Sequence, residues 1–194
     1  MKRVAILMLL ALALPVATWA SSSTDVVNVG GVLAGSSSGM ALSGSTLIKV
    51  GGIISGSNLG TLEFSTGSLV SGDLQTGAVF AGGGSFVITG NGNNGAPSGV
   101  IFNGSFTGNV TWAHTMVGNN NFYTLTGSVA GGGVQAATVQ LTISTGTKPF
   151  SGSTSISSGD TNLVTVVPEP GTLGLLGTGL LGVAGLVRRK MRSS

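Results

Sequence analysis

Residues 101–112 alternate with a period of two. The even positions run Phe102, Gly104, Phe106, Gly108, Val110 and Trp112, while the odd positions from Asn103 to Thr111 are all Asn, Ser or Thr. Successive side chains of a strand point to opposite faces, so this pattern gives one apolar face and one polar face. A helix would bring apolar residues back every three to four positions instead. The same alternation recurs at 123–128, with Tyr123 and Leu125 on one face, and at 138–144, with Val139, Leu141 and Ile143 inward. Weaker strands are expected at 46–50, 60–65, 77–81 and 85–89. Loops are expected at 91–99, 118–121 and 131–133. Gly104 and Gly108 are the natural places for a bend or bulge inside the long strand. Turn dipeptides separate the strands: Ser43-Gly44, Ser55-Gly56, Thr66-Gly67, Thr76-Gly77 and Thr89-Gly90. Short one-face-apolar strands at this spacing predict an all-β fold, a single antiparallel β-sandwich-like domain. The semi-regular turns and abundant glycine leave a β-solenoid as the alternative, but no fixed repeat period supports it.

The two ends follow different rules. Lys2 and Arg3 precede an apolar stretch at 4–14, Pro15 breaks it, and Thr18 and Ala20 are small. This is the pattern of a secretory signal peptide, too short for a stable transmembrane helix, and it predicts cleavage between Ala20 and Ser21. The chain has no cysteine. Lipoprotein processing is therefore excluded, and the fold must rest on burial and backbone hydrogen bonding without disulfides.

At the other end Pro168, Glu169 and Pro170 stop any strand or helix, because each proline fixes φ and removes a backbone donor. Residues 171–187 carry no charge. A helix there rises ~1.5 Å per residue and reaches roughly 25 Å, slightly less than a ~30 Å hydrocarbon core. Arg188, Arg189, Lys190 and Arg192 follow it, which predicts a cytoplasmic C-terminus and snorkelling at the helix end. The expected organisation is a signal peptide at 1–20, a Gly/Ser/Thr-rich β domain at 21–166 and a C-terminal signal at 167–194. Within that signal the motif is 167–171, the transmembrane helix 172–187 and the basic tail 188–194.

The order Pro-Glu-Pro, short apolar helix, Arg-rich end resembles the PEP-CTERM sorting signal of Gram-negative bacteria. The resemblance covers 167–192, with Gly171 where many members carry Ala. It implies recognition by an exosortase, a polytopic membrane protease or transpeptidase, after passage through the secretion machinery. Pro168, Glu169 and Pro170 would then be the recognition motif, and 172–187 would hold the chain in the inner membrane. Arg188, Arg189, Lys190 and Arg192 would be the stop. Cleavage near the motif would release or transfer the protein to the cell surface or extracellular matrix.

The formal net charge of +3 comes from the ends. Residues 21–167 keep Lys49 and Lys148 against Asp25, Glu63, Asp73 and Asp160, a net charge of −2. No basic patch remains, so nucleic acid is not an expected partner. Catalytic matches are formal only. Residues 90–95 fit the dinucleotide fingerprint, but Pro97 and a new strand follow where a helix is needed. Residues 35–39 fit the nucleophile elbow without an α/β setting. His114 is the only histidine and reads as a turn or surface residue; no metal site or cofactor is expected. Asp160 reads as an Asx-turn. The four acids are scattered in sequence, whereas a glycosidase needs two positioned carboxylates. The expected role is a non-enzymatic structural or adhesive surface protein. The alternative is an exopolysaccharide-binding module, with Tyr123 and Trp112 as candidate glycan contacts.

Overall fold

The computed structural model describes residues 20–167 apart from 55, 56 and 133. The signal peptide, the Pro-Glu-Pro motif, the apolar helix expected at 172–187 and the basic tail lie outside the described residues. No helix among the described residues is long and apolar enough to cross a membrane. Residues 22–165 form one compact unit.

The described chain is a succession of strands. They are β1 (Ala20–Val29), β2 (Val32–Ser36), β3 (Gly39–Val50), β4 (Ile53–Ile54), β5 (Gly60–Ser65), β6 (Leu69–Asp73) and β7 (Gly77–Phe80). After these come β8 (Gly83–Asn91), β9 (Ser98–Phe106), β10 (Val110–Val117), β11 (Asn120–Gly131), β12 (Val134–Gly146), β13 (Ser153–Ser155) and β14 (Ser158–Val167). Hydrogen-bonded neighbours run β1, β3, β5, β8, β9, β11, β12, β14, and β14 returns to β1. The seven pairings from β1 round to β14 are antiparallel. In a ring of eight, alternation then makes β14 antiparallel to β1 as well. The β-sandwich expectation is thereby corrected: one sheet closes on itself as an eight-stranded barrel, with further strands attached. Closure removes the free edges that two stacked sheets would keep. The solenoid is excluded too, since its rungs pair in parallel.

The stretch at 101–112 is two strands, not one. β9 pairs with the C-terminal part of β11, from Val129↔Phe106 to Gly131↔Gly104. β10 pairs with the N-terminal part, from Thr111↔Thr126 to Val117↔Asn120. They lie end to end along one side of β11, broken at 107–109. The parity survives the break: Phe102, Phe106, Val110 and Trp112 are all buried. β9 stays in the ring, while β10 leaves it and carries β7 and then β6. The strands at 123–128 and 138–144 form within β11 and β12 with their expected inward faces, since Tyr123, Leu125, Val139, Leu141 and Ile143 are buried. Residues 161–167 belong to β14, the last strand of the ring.

An eight-stranded barrel is just wide enough to be filled by side chains. Here the filling is phenyl rings from three consecutive strands. Phe64 stacks on Phe86 at 5.9 Å, and Phe106 meets both edge-on at 5.6 and 5.7 Å. Phe102 meets Phe86 edge-on at 5.9 Å. Such geometry adds to area burial because ring edges and faces carry opposite partial charge. The rings need small partners. A Cβ on Gly127 would stand 2.8 Å from the Phe106 ring.

A second cluster lies under the branch. Trp112 stacks on Tyr123 at 5.0 Å and meets Phe150 edge-on at 5.2 Å. Its polar atoms are used to fasten loops. Trp112 Nε1 donates to Leu74 O at 2.9 Å, and the Tyr123 hydroxyl donates to Gln75 O at 3.0 Å. The same hydroxyl accepts from Phe150 N–H at 3.0 Å. Near the closing strands the core is partly polar. Asn28 Nδ2 donates to Ser45 Oγ at 2.7 Å, and Ser45 donates to Val29 O.

Phe106→Ala is expected to cost about 3–5 kcal/mol, because it empties the centre of the phenyl cluster. Gly127→Val is expected to cost about 1–3 kcal/mol by forcing a methyl-bearing carbon into the Phe106 ring. Urea unfolding of each variant against the parent checks both.

Candidate functional site

Trp112 and Tyr123 were the sequence's glycan-contact candidates, and burial removes them from that role. They are 1% and 0% exposed, and their rings face each other and Phe150. A ring sealed on both faces has none to offer a sugar. Neighbouring Phe122 is only partly buried, as opposite parity requires. His114 sits in β10, not in a turn. Its ring stacks on Tyr123 at 4.6 Å, and its Nε2 is 2.8 Å from Asn121 Oδ1. Asn121 Nδ2 in turn donates to Gly146 O, so this histidine ties strands together.

The other formal motifs resolve into connections. Residues 90–95 end β8 and pass through a single 3₁₀ turn, Asn93–Gly95, into β9. Residues 35–39 form the β2–β3 hairpin, where Ser36 and Ser38 hydroxyls bond each other at 2.7 Å. Asp73, not Asp160, makes the Asx-turn: its carboxylate accepts from Gln75 and Thr76 N–H at 2.8 Å each and from the Thr76 hydroxyl. Those bonds hold its pKa below the usual carboxylate range. Asp160 lies inside β14.

Tertiary pairing builds a site that the sequence hides. An open groove of about 660 Å³ runs over the outer face of β10, β11, β12, β14 and β1. Its floor is a register-matched row, Thr111↔Thr126, Thr126↔Gln140 and Gln140↔Asp160. A second row, Ser128↔Thr138 and Thr138↔Asn162, lies two residues along each strand. These are the polar positions left by the same parity that buries Leu125, Val139 and Leu141. Asn109, in the break between β9 and β10, contributes to the wall.

One end of the groove carries charge. Asp25 from β1 and Asp160 from β14 interact across the closing pair of strands. Lys49 Nζ is 2.6 Å from Asp25 Oδ2, a half-exposed ion pair. The lysine beside it holds the Asp25 carboxyl below its usual range, and Asp25 raises the Lys49 ammonium in return. Water displaced by the groove walls pushes the Asp160 carboxyl up, and the Asp25 carboxylate adds to the effect. Two acids 135 positions apart are thus brought together beside a lysine. Among the described residues no group of three or more His, Cys, Asp or Glu side chains is placed to hold a metal ion.

The fold is an all-β barrel without cysteines, and its last strand ends at Val167, next to Pro168. The family model of the PEP-CTERM protein-sorting motif matches residues 166–190. No curated protein matches the chain, and no solved structure does. The chain therefore carries a C-terminal PEP-CTERM signal, which marks an exported protein targeted to an exosortase with a cell-surface or extracellular destination.

Asp160 binds its proton more tightly in the folded chain than unfolded. Its contribution favours folding below the ordinary value of 3.8 and fades as pH rises through its raised value. Asp25 runs the opposite way: its contribution is present at neutral pH and is lost as pH falls through its lowered value. Asp160→Asn is therefore expected to stabilise the barrel at pH 7, by under about 1 kcal/mol for so exposed a group. The gain should vanish near pH 3. Thermal melts of parent and variant across pH 3–8 check the sign.

Proposed function

We propose that the protein is a non-enzymatic surface or matrix component, structural or adhesive in role. In this reading the chain is exported through its 1–20 signal peptide and cut between Ala20 and Ser21. Residues 172–187 hold it in the inner membrane until an exosortase acts near Pro168, Glu169 and Pro170. Arg188, Arg189, Lys190 and Arg192 stop the helix on the cytoplasmic side. The observation that carries the proposal is the sorting motif at 166–190, which begins within β14 at 158–167.

The placement of the acids supports a role without turnover. Asp25 is engaged by Lys49, Asp73 caps a turn, and Glu63 lies on the exposed face of β5. Asp160 stands with Asp25 at one end of the groove, where Lys49 already engages the Asp25 carboxylate. The second reading is an exopolysaccharide-binding module, favoured by the open polar groove on β10–β12, β14 and β1.

The intact mass of the protein from its native host, taken fraction by fraction, tests the main reading. The expected species begins at Ser21, ends near Pro168 and is found at the surface or in the medium. Glu169→Ala should shift the population towards chains that still carry 172–194. A parent chain that runs through to Ser194 in the inner membrane overturns the proposal.

A further inference from the structure

We infer that the outer groove is a binding site for an uncharged polyhydroxylated chain, the chemistry of a neutral polysaccharide. The inference rests on the reading of the protein as a surface component and names the site through which it acts.

Unused hydrogen-bonding capacity is the first argument. Thr126, Ser128, Thr138, Gln140 and Asn162 line the groove, and none of their side chains has a hydrogen-bond partner among the described residues. Two pairs outside the groove bond each other instead, Ser65 with Ser85 and Asn91 with Asn58. Hydroxyl and amide side chains both donate and accept. A sugar hydroxyl does the same, so it fits such a floor in either sense.

Spacing is the second argument. Neighbouring strands lie about 4.8 Å apart and alternate residues of a strand about 7 Å apart. The register pairs Thr126 with Gln140 and Gln140 with Asp160, so the floor is a regular grid and not a cluster around one point. A grid suits an extended repeating ligand. At about 660 Å³ the groove is within the usual range of small-molecule sites, ~300–1,000 Å³.

Charge and polarity are the third. No lysine or arginine is among the described lining residues, and Asp25 and Asp160 stand at one end. An anionic polymer would meet repulsion there without a counter-charge, because Lys49 is already paired with Asp25. Among the described lining residues Val139 is the one large apolar residue, and its side chain is buried in the core, so they offer a lipid tail no surface to cover. Without an aromatic platform, affinity must come from several hydrogen bonds and grow with the length of the ligand.

Isothermal titration of the full-length chain in detergent with cellohexaose, mannohexaose and a dextran hexamer tests the site. A heparin hexasaccharide and CaCl₂ serve as competing classes. At least one neutral hexamer is expected to bind, and its trisaccharide to bind more weakly. The double variant Thr126→Ala, Gln140→Ala should weaken binding by about tenfold, from two hydrogen bonds of ordinary worth. Both positions are exposed, so the far-UV spectrum and melting temperature should be unchanged. Ser85→Ala, away from the groove, should bind as the parent does. The inference is overturned if none of the three neutral hexamers binds. It is also overturned if the double variant binds unchanged, or if calcium or the heparin fragment is the preferred ligand. A protein that is processed and displayed normally yet fails this titration loses the groove assignment alone. A protein never cut at its C-terminal motif loses the surface reading, whatever it binds.

Discussion

Everything in this barrel depends on β14 reaching β1. The ring consists of eight strands, and the pair that closes it joins the first described strand to the last. Without that pair, β1 and β14 would each expose a row of unpaired backbone N–H and C=O groups, and the phenyl-filled interior would open to water. The closing region also concentrates the chain's few polar commitments. Asn28 and Ser45 are buried and bonded near it, Thr161 is buried in β14, and the Asp25–Asp160–Lys49 group lies outside it. Closure pairs segments separated by most of the sequence, and such long-range pairing carries a large loop-entropy cost that is recovered only at the end of folding.

Filling that ring places a second demand on the sequence. Four phenylalanines come from β5, β8 and β9, and they share the interior because Gly127 and other small residues stand opposite them. The glycine content is thus partly a packing requirement. Gly127 has ordinary backbone angles and is needed for its missing side chain. Gly118, at φ +61°, is needed for its backbone in the two-residue β10–β11 turn. One residue type meets two separate constraints.

The groove is a by-product of the same geometry. Parity that sends Leu125, Val139 and Leu141 inward sends Thr126, Thr138 and Gln140 outward, and antiparallel register lines them up. In a chain with a net charge of −2 between its signals, the outside must be hydrated by hydroxyls and amides. The break at 107–109, where β10 leaves the ring, gives this outer face part of its wall through Asn109. A surface made for solubility thereby acquires a shape.

The sequence carried the inward and outward faces of β9, β10, β11 and β12, because in-out alternation is a local property that any antiparallel arrangement preserves. Phe102, Phe106, Val110, Trp112, Tyr123, Leu125, Val139, Leu141 and Ile143 are buried as their positions require. It also carried the sorting signal, because a proline stop, an apolar run and a basic end are read as a linear pattern. Short strands such as β6 and β13 left no trace, since three to five residues are too few to show a period. Sandwich or barrel was undecidable from alternation, as both put one face inward; only the β14–β1 and β11–β12 pairings separate them. The stacking of Tyr123 between Trp112 and His114 and the meeting of Asp25 with Asp160 were likewise tertiary decisions. Periodicity fixes which way a side chain points relative to its own strand, but what it meets there is set by strands far away in the chain.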